Sequence, residues 1–185
     1  MHRIRMAMSG GASQEDLLYG IVEADETYIG GKPRKKNNHN DDNNNKRGRG
    51  TNKTPVVGVI ERGGRVHAEP FSKKKLNGKG LAKFIQKHVD TAASFLMTDE
   101  YKGYNKIKKT MRHGTVNHSY EYANGMIHTN SMEGFWALVK RAFYGQHHNY
   151  SKKYTALYIA EACYKYNNRK KKSSFSEMIG LMVAV

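Results

Sequence analysis

Residues 77–100 read NGKGLAKFIQKHVDTAASFLMTDE, and the change of pattern within this stretch decides the fold. In its first half, Leu81, Phe84, Ile85 and His88 or Val89 recur at helical spacing, which predicts an amphipathic helix. The second half closes with SFLMTDE, residues 94–100, a short apolar run ending in acid. A run of this length is a buried strand, and a strand entered from a helical crossover lies parallel to its neighbour in the sheet. This points to an α/β domain.

The flanking segments fill in the sheet. YGIVEADETYIGG, residues 19–31, is rich in Ile, Val, Thr and Tyr and closes on two glycines, as a strand does. TPVVGVIERGGRVHAEPFS, residues 54–72, is a hairpin joined at Gly63 and Gly64. Downstream come a turn-rich YKGYNK (101–106), a strand at HGTVNHS (113–119), a helix around Glu133, and a last long helix within SKKYTALYIAEACYKYNNR (151–169). The order is strand, hairpin, helix, strand, strand, helix, helix, a mixed sheet with helices packed on it. Between the first strand and the hairpin, PRKKNNHNDDNNNKRGRGTNK (33–53) has too little apolar surface to offset chain entropy, and is expected to be a mobile basic loop.

Of 185 residues, 32 are Lys or Arg and 16 are Asp or Glu, a formal net charge of +16. That excess suits a polyanionic partner such as nucleic acid. No window approaches the roughly 18–20 apolar residues of a spanning helix, and the opening MHRIRMAMSGG has no apolar core of a secretory signal, so a cytoplasmic address is expected. Cys163 is the single cysteine, which leaves no internal disulfide and no cysteine-rich zinc site.

Against this basic background Asp25, in ADETY, and Asp99, in TDEYKGY, each fall at or near the end of an apolar strand, where open α/β sheets place their chemistry. Two such carboxylates brought together repel unless a cation neutralises them, and a hard divalent ion with oxygen ligands is the natural partner. In HTNSMEGFWALVKR, residues 128–141, the spacing predicts a stripe of Phe135, Leu138, Val139 and Ala142 against the sheet. Glu133, Ala137, Lys140 and Tyr144 then form a neighbouring stripe. Taken alone, each acid reads first as a strand-end or helical carboxylate facing water. Tyr28, Tyr101, Trp136 and Tyr144 are candidates for stacking on unpaired bases, with core packing the commoner use.

The chain resembles the DDE transposases of bacterial insertion sequences, specifically the ISXO-type group related to Merlin elements. The resemblance runs from about Gly20 to Arg169 through VEADETYIGGK, TDEYKGY, HTNSMEGFWALVKR, HHNYSKKY and YKYNNR. It implies a ribonuclease-H-like fold in a domain spanning 20–172, with 1–19 a remnant or linker and 173–185 a tail. It implies Asp25, Asp99 and Glu133 as the catalytic acids holding two Mg²⁺ or Mn²⁺ ions, with Asn130 in reserve for the third place. Lys140 matches the family's basic residue seven places after the acid. Arg141, Lys32, Arg47, Arg49, Lys152 and Lys153 are further candidate DNA contacts, and His118 and His128 candidate orienting groups. The implied partners are transposon-end and target DNA, with the protein at least a homodimer on DNA.

Family members carry a longer N-terminal portion with a zinc-ribbon-like element, so the sequence is expected to be a catalytic domain, or a truncated copy, with weak end-specific transposition. Two other classes compete: a basic DNA-binding protein without chemistry, and a ribonuclease-H-like nuclease. A tyrosine-nucleophile enzyme ranks below them, since none of the nine histidines forms a His-x-His pair.

Overall fold

A computed structural model describes residues 2–10, 17–30, 52–116 and 129–183. The described strands are β1 (Leu18–Ile29), β2 (Thr54–Glu61), β3 (Val66–Pro70), β4 (Val89–Thr98) and β5 (Arg112–Thr115). They form one sheet in the order β3-β2-β1-β4-β5. β1, β2 and β3 pair antiparallel, while β4 and β5 run parallel to β1. The sequence pattern predicts a mixed sheet, and this strand order and direction are those of the ribonuclease-H-like sheet that the family resemblance implies.

Strand alternation sends successive side chains to opposite faces, and β2 uses both. Val57 and Val59 join Val22, Ala24 and Leu96 on one face, and helix α2 (Gly78–His88) covers them with Leu81, Phe84 and Ile85. Val56 and Ile60 join Ile29 and Val66 on the other face, under helices α3 (Asn130–Arg141) and α4 (Thr155–Asn167). The helix α2 starts where expected: the Asn77 side chain accepts from the backbone N–H of Lys79 and Gly80, both at 3.0 Å, which satisfies two of the donors a helix start leaves unpaired. Its last turn carries Lys87, a cation at the negative end of the helix dipole. The hairpin turns at Gly63, whose φ of 73° lies in the left-handed region where glycine carries no steric penalty.

Two local readings change. YKGYNK belongs to a 3₁₀ helix, Lys102–Lys109, whose three-residue turn places Tyr104 and Ile107 one above the other, both in the core. On α3 the buried face is Met132, Phe135, Trp136, Val139 and then Phe143, whereas Leu138 is 47% exposed. Trp136 and Met132 displace Leu138 because the sheet opposite them carries Gly58, which opens a slot for large side chains. A Cβ at Gly58 would lie 2.9 Å from two Trp136 ring carbons and clash with Met132.

The ends of the chain also hold structure. Within the expected remnant, helix α1 (His2–Gly10) packs on α4. Arg5 Nε donates to Glu161 Oε2 at 2.7 Å in a buried ion pair, and its guanidinium lies 4.0 Å from the centre of the Tyr158 ring. Within the expected tail lies α5 (Ser174–Val183), in contact with α1. Residues 33–51 of the basic loop fall outside the described residues, with Lys32, Arg47 and Arg49.

Candidate active site

The parallel pairing of β1 and β4 brings the two acids together. Ala24 is the register partner of Thr98, so Asp25 and Asp99 follow side by side. Asp99 lies just past the end of β4, whereas Asp25 is not at a strand end as expected but inside β1, opposite Gly58, because β1 runs on to Ile29 as the antiparallel partner of β2. Glu26 completes the group: one carboxylate oxygen from each of Asp25, Glu26 and Asp99 lies within 4.8 Å of the others. All three are half-buried. Asp25 Oδ1 accepts from the Glu26 N–H at 2.7 Å and Asp99 Oδ1 from the Tyr101 N–H at 3.0 Å, which fixes each carboxylate against its own backbone. The Tyr104 hydroxyl donates to Glu26 Oε2 at 3.2 Å, and its own ionisation is pushed far up, first by complete burial and then by the three acids.

Burial raises the Asp25 carboxyl from the usual carboxylate range to about 7, with the negative charge of Glu26 and then of Asp99 adding to it. A carboxyl so placed takes up a proton unless a cation replaces it. This donor set, all hard oxygen with charge in excess, fits divalent magnesium or manganese.

Helix α3 is bound to β1 at two points, one of them the acid cluster. Trp136 Nε1 donates to Asp25 Oδ2 at 3.1 Å. One turn earlier the fully buried Glu23 accepts from the Met132 N–H at 2.9 Å, from Ser131 Oγ at 3.1 Å and from Arg62 Nε at 2.7 Å. A carboxylate under the first turn of a helix meets unpaired N–H groups and the positive end of the dipole, so the helix start is pinned to β1. Behind β4, Thr98 Oγ1 donates to the Asp99 carbonyl at 2.9 Å and lies 2.8 Å from His113 Nε2. With its hydrogen committed to the carbonyl, Oγ1 accepts from an Nε2–H tautomer.

The residues read from sequence divide accordingly. Asp25 and Asp99 meet. Glu133 is exposed in the first turn of α3, 3.4 Å from Thr129 Oγ1, and is not a member of the cluster among the described residues. Asn130, the reserve, is exposed on the same turn. Lys140, Arg141, Lys152 and Lys153 are exposed, the first two in the last turn of α3. His118 and His128 lie outside the described residues. Sequence reading passed over Glu23 and Glu26. Glu23 carried a usable signal, since Glu23 and Asp25 are two apart on a strand and share a face; Glu26 points the other way, and only Tyr104, brought back by the 3₁₀ helix, marks it.

Beside the cluster a cavity of about 430 Å³ is lined by Glu26, Thr27, Tyr28, Ile29, Lys53, Lys140, Phe143 and Tyr144. No described helix is long and apolar enough to cross a membrane.

Among curated proteins none matches the sequence. Solved structures similar to the chain include a Mos1 transposase paired-end complex with left transposon end, at 14% identity and a TM-score of 0.33, covering 95% of this chain and 61% of that one. A Mos1 strand transfer complex is similar at 14% identity and a TM-score of 0.34, covering 96% and 61%. The chain thus spans about three-fifths of those transposases. The model of the ISXO2-like transposase domain matches residues 17–167, from the residue before β1 to the last residue of α4, and takes in every acid described above. The chain belongs to the ISXO2-like transposase domain family.

Proposed function

We propose that this domain cleaves and rejoins DNA strands as the catalytic part of a DDE transposase, with divalent metal held by Asp25 and Asp99. The observation that carries the reading is the meeting of these two carboxylates, 74 residues apart in sequence, beside a third, with Asp25 raised to about 7. A pair of ions bound there would supply activation of the attacking oxygen and stabilisation of the leaving oxygen at phosphorus. The chain's own part is to orient and to hold charge. The Glu26 and Tyr101 amides aim the two aspartates, Trp136 holds Asp25 in place, and Lys140 and Arg141 meet the phosphate backbone.

Glu133 supplies the third ligand, because it lies three residues before Trp136, about one turn away on the same side of α3, and Trp136 ties that helix to Asp25. A second reading gives this place to Glu26, which already stands in the cluster. The substrates are transposon ends and target DNA, and paired-end chemistry calls for at least two copies of the chain on DNA, an argument by analogy.

Nicking of supercoiled and end-bearing DNA with Mg²⁺ or Mn²⁺ and with chelator tests the reading. We expect metal-dependent cleavage that Asp25→Asn and Asp99→Asn abolish while DNA binding persists. Loss in Glu133→Gln with retention in Glu26→Gln assigns the third ligand to Glu133, and the reverse assigns it to Glu26. A parent that binds DNA tightly, with affinity falling steeply as salt rises, and cuts nothing with either metal is a binding protein, and the catalytic reading fails.

A further inference from the structure

Next to the acids, the cavity of about 430 Å³ has a composition that metal chemistry does not require. Its size falls within the roughly 300–1,000 Å³ of small-ligand sites. Three aromatic residues and two lysines share its wall with a single acid, Glu26. Tyr144 is 55% exposed, whereas its neighbour Phe143 is buried. The two rings stand perpendicular, 5.1 Å between centres, and Phe143 is held in turn by the perpendicular ring of Tyr150 at 4.8 Å. The exposed ring is therefore held by packing from behind.

Its backbone is also special. Ala142–Gln146 continues α3 as a π-helical turn, an irregularity that accompanies functional sites and that here brings Phe143 and Tyr144 to the cavity directly after Lys140 and Arg141. An anchored aromatic face beside cations is how single-stranded nucleic acid is held, the ring stacking a base and the cations following the phosphates. Glu26, the one acid of the lining, repels phosphate, so a nucleotide entering here is oriented with its phosphates toward Lys140 and Lys53 and its base against Tyr144.

We infer that this cavity receives one unpaired nucleotide of the DNA strand lying beside the reacting phosphate, with Tyr144 as the stacking platform and Lys140 as the phosphate contact. The inference rests on the DNA-cleaving reading of the adjacent acids, which would place such a strand here. Unpairing a base next to the reaction site costs stacking energy that the Tyr144 face returns.

The test measures binding with chelator present, so that no strand is cut. A short thymidine oligonucleotide carrying one 2-aminopurine, and a duplex of the same length, are titrated with the parent, Tyr144→Ala and Tyr144→Phe. We expect 2-aminopurine fluorescence to be quenched by the parent and by Tyr144→Phe. In Tyr144→Ala the quenching disappears and the ratio of single-strand to duplex affinity falls by about fivefold or more, the lower end of one base stacked on an aromatic ring. An unmoved ratio, or an equal loss for strand and duplex, overturns the inference. The two readings fail separately: cleavage that persists in Asp25→Asn refutes the metal site, and an unmoved affinity ratio in Tyr144→Ala refutes the nucleotide site.

Discussion

Removing the Glu23 carboxylate should both destabilise the domain and loosen the active site. Glu23 is fully buried, and its partner Arg62 has a side chain only 18% exposed. In Glu23→Ala the guanidinium loses its 2.7 Å acceptor, and the Met132 N–H, an unpaired donor of the helix start, loses the 2.9 Å bond that satisfies it. Deleting one partner of a buried ion pair costs about 3–5 kcal/mol, because the remaining charge stays desolvated. For a chain of this length each kcal/mol lowers the Tm by about 2–4 °C, so the expected fall is about 6–20 °C. Urea unfolding gives the free energy directly, and hydrogen exchange locates the change. The amides of Ser131–Phe135 should lose protection more than those of α2, which packs on the opposite face of the sheet. A loss below about 1 kcal/mol, or a uniform loss of protection, refutes the claim that Glu23 pins α3 to β1.

Three further outcomes follow from the same contacts. Asp25 has its folded pKa raised from 3.8 to about 7, so its contribution to stability falls as pH rises through that window. Without metal, Asp25→Asn should therefore melt higher than the parent at pH 8 and lose that advantage toward pH 4, as read by scanning fluorimetry; an advantage independent of pH contradicts the electrostatic cause. His67 and His88 stack at 4.7 Å; burial first, then neighbouring positive charge, lowers both, His88 to about 4. Their unfolded forms bind protons first, so stability should fall as pH drops from about 6.5 toward 4, and His88→Gln should flatten that part of the pH–stability curve. Gly58→Ala should cost about 1–3 kcal/mol by overpacking against Trp136 and Met132, and should shift the emission of Trp136, the single tryptophan, with unchanged emission counting against the close fit.

The sheet was legible because its strands alternate or run apolar in short blocks and because the helix before β4 forces a parallel entry. The meeting of Asp25 and Asp99 was implied by the family resemblance rather than by the strand pattern, because Asp25 lies inside β1, which runs on to Ile29. Periodicity could not assign the face of α3. The choice between Leu138 and Trp136 depends on Gly58, a residue 78 positions away whose missing side chain makes the slot. Glu23 was missed because a glutamate in a strand reads as solvent-facing, and its burial depends on Arg62 and the start of α3 arriving together. α1 and α5 lay in segments read as remnant and tail, and a pattern of single residues gave no sign that Arg5 would find Glu161 at the far end of the chain.

The most direct test of the central claim is anomalous diffraction from crystals grown with Mn²⁺. The account predicts manganese bound within coordination distance of carboxylate oxygens from both Asp25 and Asp99, lost in Asp25→Asn crystals. Manganese absent from that edge of the sheet at saturating concentration, or bound only elsewhere, contradicts it.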